Sequence, residues 1–315
     1  MDNSALEIPS DPNESFNAPI VVNRPARVKR SPQLRIVLLN AAGGAELDVI
    51  EACLRRPPLN DANVVLLCEA DRWLQRSGRR DISADLAANL GMSCAYVPEY
   101  KLGQVGVAFM GNAILSSVPF ESCVGVAMPS SYHPVLGRRL KNSSFSGMPM
   151  GIIASTRFGT EKLTIGLAHL HSRCAPTERE RQLRSFMTSF PASGRALFGG
   201  DLNTTTTELM SRSAIMRLMF SMLFNPQRFR APERFEPLFK RIRERGLETD
   251  GANVANRGTF TFSGMIPRMF RPKLDWIALR GLRPVPGSAT IVSPRLSKIS
   301  RRASDHDFIA VDVEL

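Results

Sequence analysis

Eight polar side chains of this 315-residue chain stand where short apolar runs give out, and their types are those that hold metal ions and phosphates. Asn40 closes LRIVLLN (34–40), Glu69 closes VVLLCE (64–69) and His169 sits in LAHL (167–170). Asp201 and Asn203 lie in GGDLN (199–203), Asp275 in LDWI (274–277), and Asp305 with His306 in SDH (304–306). Carboxylate and amide oxygens are the donors a hard divalent cation takes, and imidazoles carry protons or positive charge near neutral pH. In open α/β sheets chemistry collects beyond strand ends, so these positions on one edge would make a metal site. Taken singly each has a plainer reading: a capping or salt-bridged acid, a structural histidine, a Gly-Asp-Asn turn.

Their order and local sequence carry more. With GNAILS (111–116), and with Arg179 and Gln182 following LAHL, the set resembles the endonuclease/exonuclease/phosphatase superfamily of pancreatic deoxyribonuclease-like enzymes, over about residues 34–315. The resemblance implies an α/β four-layer sandwich of two mixed β-sheets flanked by helices, with the site at one edge. It also implies a metal-dependent phosphoric ester hydrolase that uses Mg²⁺, with Mn²⁺ as the alternative ion. The residue chemistry fits: Mg²⁺ keeps several waters, so Glu69 and Asp305 suffice as carboxylate ligands, with Asn40 positioning metal water or phosphate. Phosphodiester hydrolysis needs an oriented water, neutralised non-bridging oxygens and a protonated leaving oxygen. Asp201 is the candidate base, and Asn203 donates to phosphate or water. His306, held by Asp275 as in similar enzymes, contacts the phosphate as a cation, and His169 binds phosphate or assists the leaving group. The sequence leaves open which histidine does which. Two departures stand out: Cys68 replaces the glutamine often found before the metal-binding glutamate, and His171, expected at the rim, replaces a more usual acid or polar residue.

The elements that must position these groups are legible as strand-like apolar runs at 34–39, 64–68, 105–110, 150–157, 163–170, 196–198, 274–279 and 308–313. Helical patterns lie between some of them, at 45–56, 82–90 and 176–190, the last opening on Pro176. Residues 1–33, rich in Pro, Asn and Ser with balanced charges, are expected to be a disordered tail ahead of a catalytic domain at 34–315. Within that domain 208–246 is expected to be a helical, basic insertion: a Met-rich apolar helix around Met216 to Phe224, then an arginine-rich one.

With 43% apolar and 22% charged residues the chain has the material for a large core, which excludes wholesale disorder. A net charge of +12 favours a polyanionic partner, and 267–302 holds nine basic residues against Asp275 alone. A nuclease is therefore the first reading, and a phosphodiesterase or phosphatase of lipid or inositol-phosphate type, with the Met-rich segment against an anionic membrane, is the alternative. A nucleic-acid-binding module without turnover is third. Five scattered cysteines form no zinc pattern and read as reduced core residues. No signal-peptide pattern or membrane-length apolar run is present, so the expectation is a cytoplasmic monomer.

Overall fold

Strands buried on both faces need cover on both sides, and the apolar runs of this chain obtain it by stacking two sheets and flanking them with helices. The computed structural model describes residues 18–26, 33–102, 108–128, 145–209, 225–261, 271–297 and 299–315, together with Ser213, Met216, Phe220 and Phe224. In chain order the elements are β1 (Ile20–Val22), β2 (Gln33–Gly43), α1 (Leu47–Leu54), β3 (Val64–Arg72), α2 (Ile82–Leu90), β4 (Ser93–Leu102), β5 (Phe109–Ser116) and β6 (Phe120–Ala127). Then follow β7 (Phe145–Gly147), β8 (Met150–Phe158), β9 (Glu161–Leu167), α3 (Pro176–Ser189), β10 (Ala196–Asp201), β11 (Asp275–Arg280), β12 (Arg283–Pro284), β13 (Thr290–Val292) and β14 (Phe308–Glu314).

The larger sheet has nine strands in the order β1-β4-β5-β3-β2-β14-β12, with β13 on β14 and β7 on β4; the smaller runs β11-β10-β9-β8-β6. Both are mixed, because β2 with β3 and β9 with β10 are parallel among antiparallel neighbours. Alternation along β2 explains its unbroken apolar sequence. Ile36 and Leu38 face the smaller sheet, beside Leu66, Ile165 and Ile277, while Val37 and Leu39 face away, beside Ile50 and Leu86 of α1 and α2. On the far side of the smaller sheet, Phe198 and Trp276 pack with Phe186 of α3, with Phe190 just after it, and with Phe239 of the helix Leu238–Glu244. The expected four layers are thus present. Asp81 caps α2 by accepting from Ala84 N–H at 3.1 Å, and Gly91 ends it in the left-handed region.

Three sequence expectations need correction. The tail is not uniformly disordered, since Ile20–Val22 adds a strand to the edge of β4 and Asn23 holds Phe120 through both side-chain amide atoms. An edge strand presents unpaired backbone groups, and the apolar Ile-Val-Val segment satisfies them. The run at 105–110 is a strand from Phe109 onward; 103–107 lies outside the described residues. The run at 163–170 leaves the sheet at Leu167, so His169 stands on the following loop. Of the insertion, the Met-rich part lies largely outside the described residues, whereas the basic part forms two short helices, Gln227–Arg230 and Leu238–Glu244. Strand β4 escaped the pattern because Pro98 and Glu99 interrupt it, at a register shift between Pro98 and Tyr100.

Candidate active site

The parallel pairs make the site. β2 and β3 end side by side in the larger sheet and β9 and β10 in the smaller, so four chain segments leave the sandwich at one edge. Irregularities there turn side chains inward: the β2/β3 register shifts after Asn40 and the β3/β5 register shifts after Leu67. Glu69 sits in that second irregularity at φ 53°, and Asn203 has φ 49°. Left-handed backbone is unfavourable for a glutamate and is held here by its surroundings, a pattern typical of functional positions. Gly200, at φ 151°, must be glycine because a Cβ there would lie 1.8 Å from the Ala168 carbonyl oxygen.

The side chains meet as the spacing requires. Asn40, 1% exposed, donates through Nδ2 to Glu69 Oε1 at 3.0 Å and to Asp201 Oδ2 at 2.9 Å, while its Oδ1 accepts from Ala42 N–H. The amide thus aims two carboxylates. His169 Nε2 lies 3.6 Å from Glu69 Oε1 and 4.0 Å from Asp201 Oδ2. From the opposite side His306 Nε2 lies 3.6 Å from Asp201 Oδ2, and its Nδ1 is 2.9 Å from Asp275 Oδ2. Asp201, Asp275 and His306 therefore crowd ligand-type atoms within 4.8 Å, with the imidazole between the two acids. Asn203 is beside them, its backbone N–H bonded to Asp201 Oδ1 and one amide hydrogen given to Leu170 O at 2.7 Å. Asp305 is the exposed member. Although the residue as a whole is exposed, neighbouring protein partly desolvates its carboxyl, and this with the charges of Glu69 and Asp201 outweighs the pull of His306 and leaves it above the usual range.

Electrostatics sort the roles. Burial alone would strip both imidazoles of their protons, but Glu99 with Glu69 and Asp201 lifts His169 to about 10, and Asp275 with Asp201 and Asp305 lifts His306 to about 10. Burial pushes Asp201 upward, with His306 opposing and Asp275 adding to the rise. Two cationic imidazoles face five carboxyls, those of Glu69, Glu99, Asp201, Asp275 and Asp305. That excess of hard oxygen donors is what a divalent cation neutralises, so the residues fit Mg²⁺ or Mn²⁺.

Sequence reasoning missed the supports. Glu99, fully buried, accepts from His169 Nδ1 at 3.1 Å and from Met150 N–H at 3.2 Å. Its signal was an acid inside the otherwise apolar AYVPEY stretch. Thr259 Oγ1 donates to Asp275 Oδ2, and Ser304 Oγ accepts from His306 N–H while donating to Asn40 O at 2.6 Å. Arg179, named in the sequence motif without a role, is 0% exposed and ion-pairs at 2.6 Å with Glu236, which the sequence did not single out; Glu236 also accepts from Thr206 N–H, which ties α3 to the loop after β10. His171 is buried, not at the rim: its backbone N–H donates to Gln182 and its Nδ1 accepts from Arg173 N–H. The basic stretch 267–302 also differs from a free cationic face. Arg271 and Arg302 ion-pair with Asp307, Lys273 is buried over Trp276, and Arg280 donates to three backbone carbonyls. Arg268 and Lys298 lie outside the described residues.

No family model matches the sequence, and no curated protein matches it. Solved structures do. An endonuclease/exonuclease/phosphatase from Beutenbergia cavernae is 18% identical, with TM-score 0.57, over 90% of this chain and 72% of that one. TDP2 of D. rerio, complexed with single-strand DNA product, is 18% identical with TM-score 0.52, over 90% of this chain and 100% of that one. The human Nocturnin catalytic domain with bound sulfate is 14% identical with TM-score 0.52, over 94% and 96%. These likenesses establish the fold: the chain has the architecture of endonuclease/exonuclease/phosphatase proteins.

Proposed function

We propose that the chain is a divalent-metal-dependent phosphodiesterase whose substrate is nucleic acid. The observation that carries this reading is the meeting of Glu69, Asp201 and Asp305 with two imidazoles, each backed by its own buried carboxylate. Glu69 and Asp305, beside Asn40, would hold the ion. When bound, Mg²⁺ or Mn²⁺ supplies positive charge for the phosphoryl oxygens. The remaining work belongs to the chain. Glu99 and Asp275 accept hydrogen bonds from Nδ1–H of His169 and His306, which keeps both rings protonated and leaves Nε2–H of each directed at the acids. Both rings can then donate to phosphate oxygens, and the one nearer the leaving oxygen gives it a proton. Asp201, with Oδ2 fixed by Asn40, accepts the proton of the attacking water; its raised pKa makes it a stronger base than a solvent-exposed carboxylate.

Nucleic acid is favoured by the +12 charge and by the DNA-product complex of the TDP2 relative in fold. Cleavage of plasmid and single-stranded DNA in Mg²⁺, Mn²⁺ or EDTA tests this, beside phosphocholine release from sphingomyelin and phosphate release from inositol phosphates. We expect metal-dependent DNA cleavage that falls about 10³-fold in Asp201→Ala and His306→Ala. Metal-dependent release from lipid or inositol substrates alone would overturn the nucleic-acid assignment and leave a phosphoesterase. DNA binding without cleavage in any metal would leave only a binding module.

A further inference from the structure

The segment just beyond Glu69 has a shape that the hydrolytic chemistry does not require. Strand β3 ends at Arg72, and the next residue, Trp73, takes φ 60°, a left-handed conformation that is costly for a bulky side chain. Its N–H is anchored on Arg80 O at 2.8 Å, and the residue remains 36% exposed. The Arg72 guanidinium, 6% exposed as a residue and ion-paired to Asp81 at 2.8 Å, lies 4.1 Å from the centre of the indole ring. A buried cation thus backs the ring. A costly backbone conformation that leaves a third of an aromatic residue open to solvent, with a buried cation behind it, suits a position held for a ligand.

Three residues on, Arg76 completes the picture. Its Nε and Nη2 each donate at 2.7 Å to the carboxylate of Asp71, which is fully buried, while half of the arginine side chain stays exposed. The fork fixes the guanidinium, and Nη1 makes no hydrogen bond among the described residues. The guanidinium also lies close enough to Glu69 to feel its charge. A pre-positioned arginine at the margin of an acid-lined phosphoester site is a phosphate ligand by chemistry.

We propose that Trp73 and Arg76 form a substrate lip, in which the indole stacks on a nucleobase next to the scissile phosphate and Arg76 binds a neighbouring phosphate of the same strand. This rests on the nuclease reading. The stack is an indole between a buried arginine and a base, an arrangement worth more than a bare ring on a surface.

The chain has two tryptophans, and Trp276 is 2% exposed, so Trp73 reports strand binding by fluorescence. Titrations use the full chain carrying Asp201→Asn in Mg²⁺, with a ten-residue oligothymidylate and an abasic strand of equal length. The base-bearing strand is expected to quench the fluorescence and the abasic strand to bind without quenching. Trp73→Ala should weaken the base-bearing strand about tenfold and leave the abasic one unchanged, whereas Trp73→Phe retains most of the affinity. Arg76→Ala should weaken both equally and reduce the slope of log K against log salt by about one phosphate contact. Because the strain at φ 60° comes from the Cβ, Trp73→Gly should hold or raise Tm while binding falls, which a structural tryptophan would not do. Equal quenching by both strands, or unchanged affinity in Trp73→Ala, overturns the lip alone. Failure of the parent chain to bind either strand overturns the nuclease reading and the lip with it.

Discussion

His169 and His306 are held as cations by partners that differ in origin, Glu99 from the larger sheet and Asp275 from the smaller, and this sets the pH behaviour. Each sits at about 10 in the folded chain against 6.5 for a free imidazole. Between those values the folded protein binds more protons than the unfolded chain, so the stabilisation is complete below 6.5 and is lost as pH rises through about 10. Thermal melts in EDTA from pH 6 to 10.5 should show Tm falling across that window. Activity should keep an alkaline limb far above neutrality, and Glu99→Gln or Asp275→Asn should move it toward neutral pH, read from kcat/KM profiles. With Asp201 as the proposed base, the acid limb should lie above the ordinary carboxylate range, because burial disfavours its charge. Every residue predicted from strand-end chemistry reached this edge, because strand ends and Gly-Asp-Asn turns announce themselves locally. Glu99 did not, since nothing in its neighbours shows that a histidine 70 positions later will share its proton.

At the scale of elements, Gly200 of GGDLN and Gly159 of the turn between β8 and β9 separate structural need from loop convenience. Gly200→Ala places a Cβ 1.8 Å from Ala168 O at a φ of 151° and should cost about 3 kcal/mol or more, a Tm drop of roughly 5 °C or more for a chain of this size. Gly159→Ala, in an open turn at φ 62° with nothing within 4 Å, should cost about 1 kcal/mol. Differential scanning calorimetry of the two variants checks the contrast. Doubly buried strands such as β2 and β3 were legible because both faces demand apolar residues. The edge strands were not: β6 exposes much of its length, and β1 is three residues whose partner lies more than 70 positions away. The helix 82–90 was found to the residue, because Asp81 and Gly91 mark its ends chemically.

Across the whole molecule, five carboxyls at one edge of a chain of net charge +12 form a local reversal of sign. A divalent cation that relieves it should stabilise the fold, by about 2.7 kcal/mol at a hundredfold excess over its Kd, and Asp305→Ala should abolish the Tm gain without unfolding the chain. The basic stretch 267–302 shows why net charge was a weaker guide than motif order: arginines that grip Asp307 and backbone carbonyls serve the scaffold, a use that composition does not distinguish from binding. The reacting groups are shared across the seam of the sandwich, Asn40 and Glu69 from one sheet and Asp201 and Asp275 from the other. The proposed catalytic centre is therefore a caliper closed across two plates. A slip of one plate by a fraction of a bond length opens it while every strand ladder survives, so rising urea should silence turnover before circular dichroism records any loss of sheet.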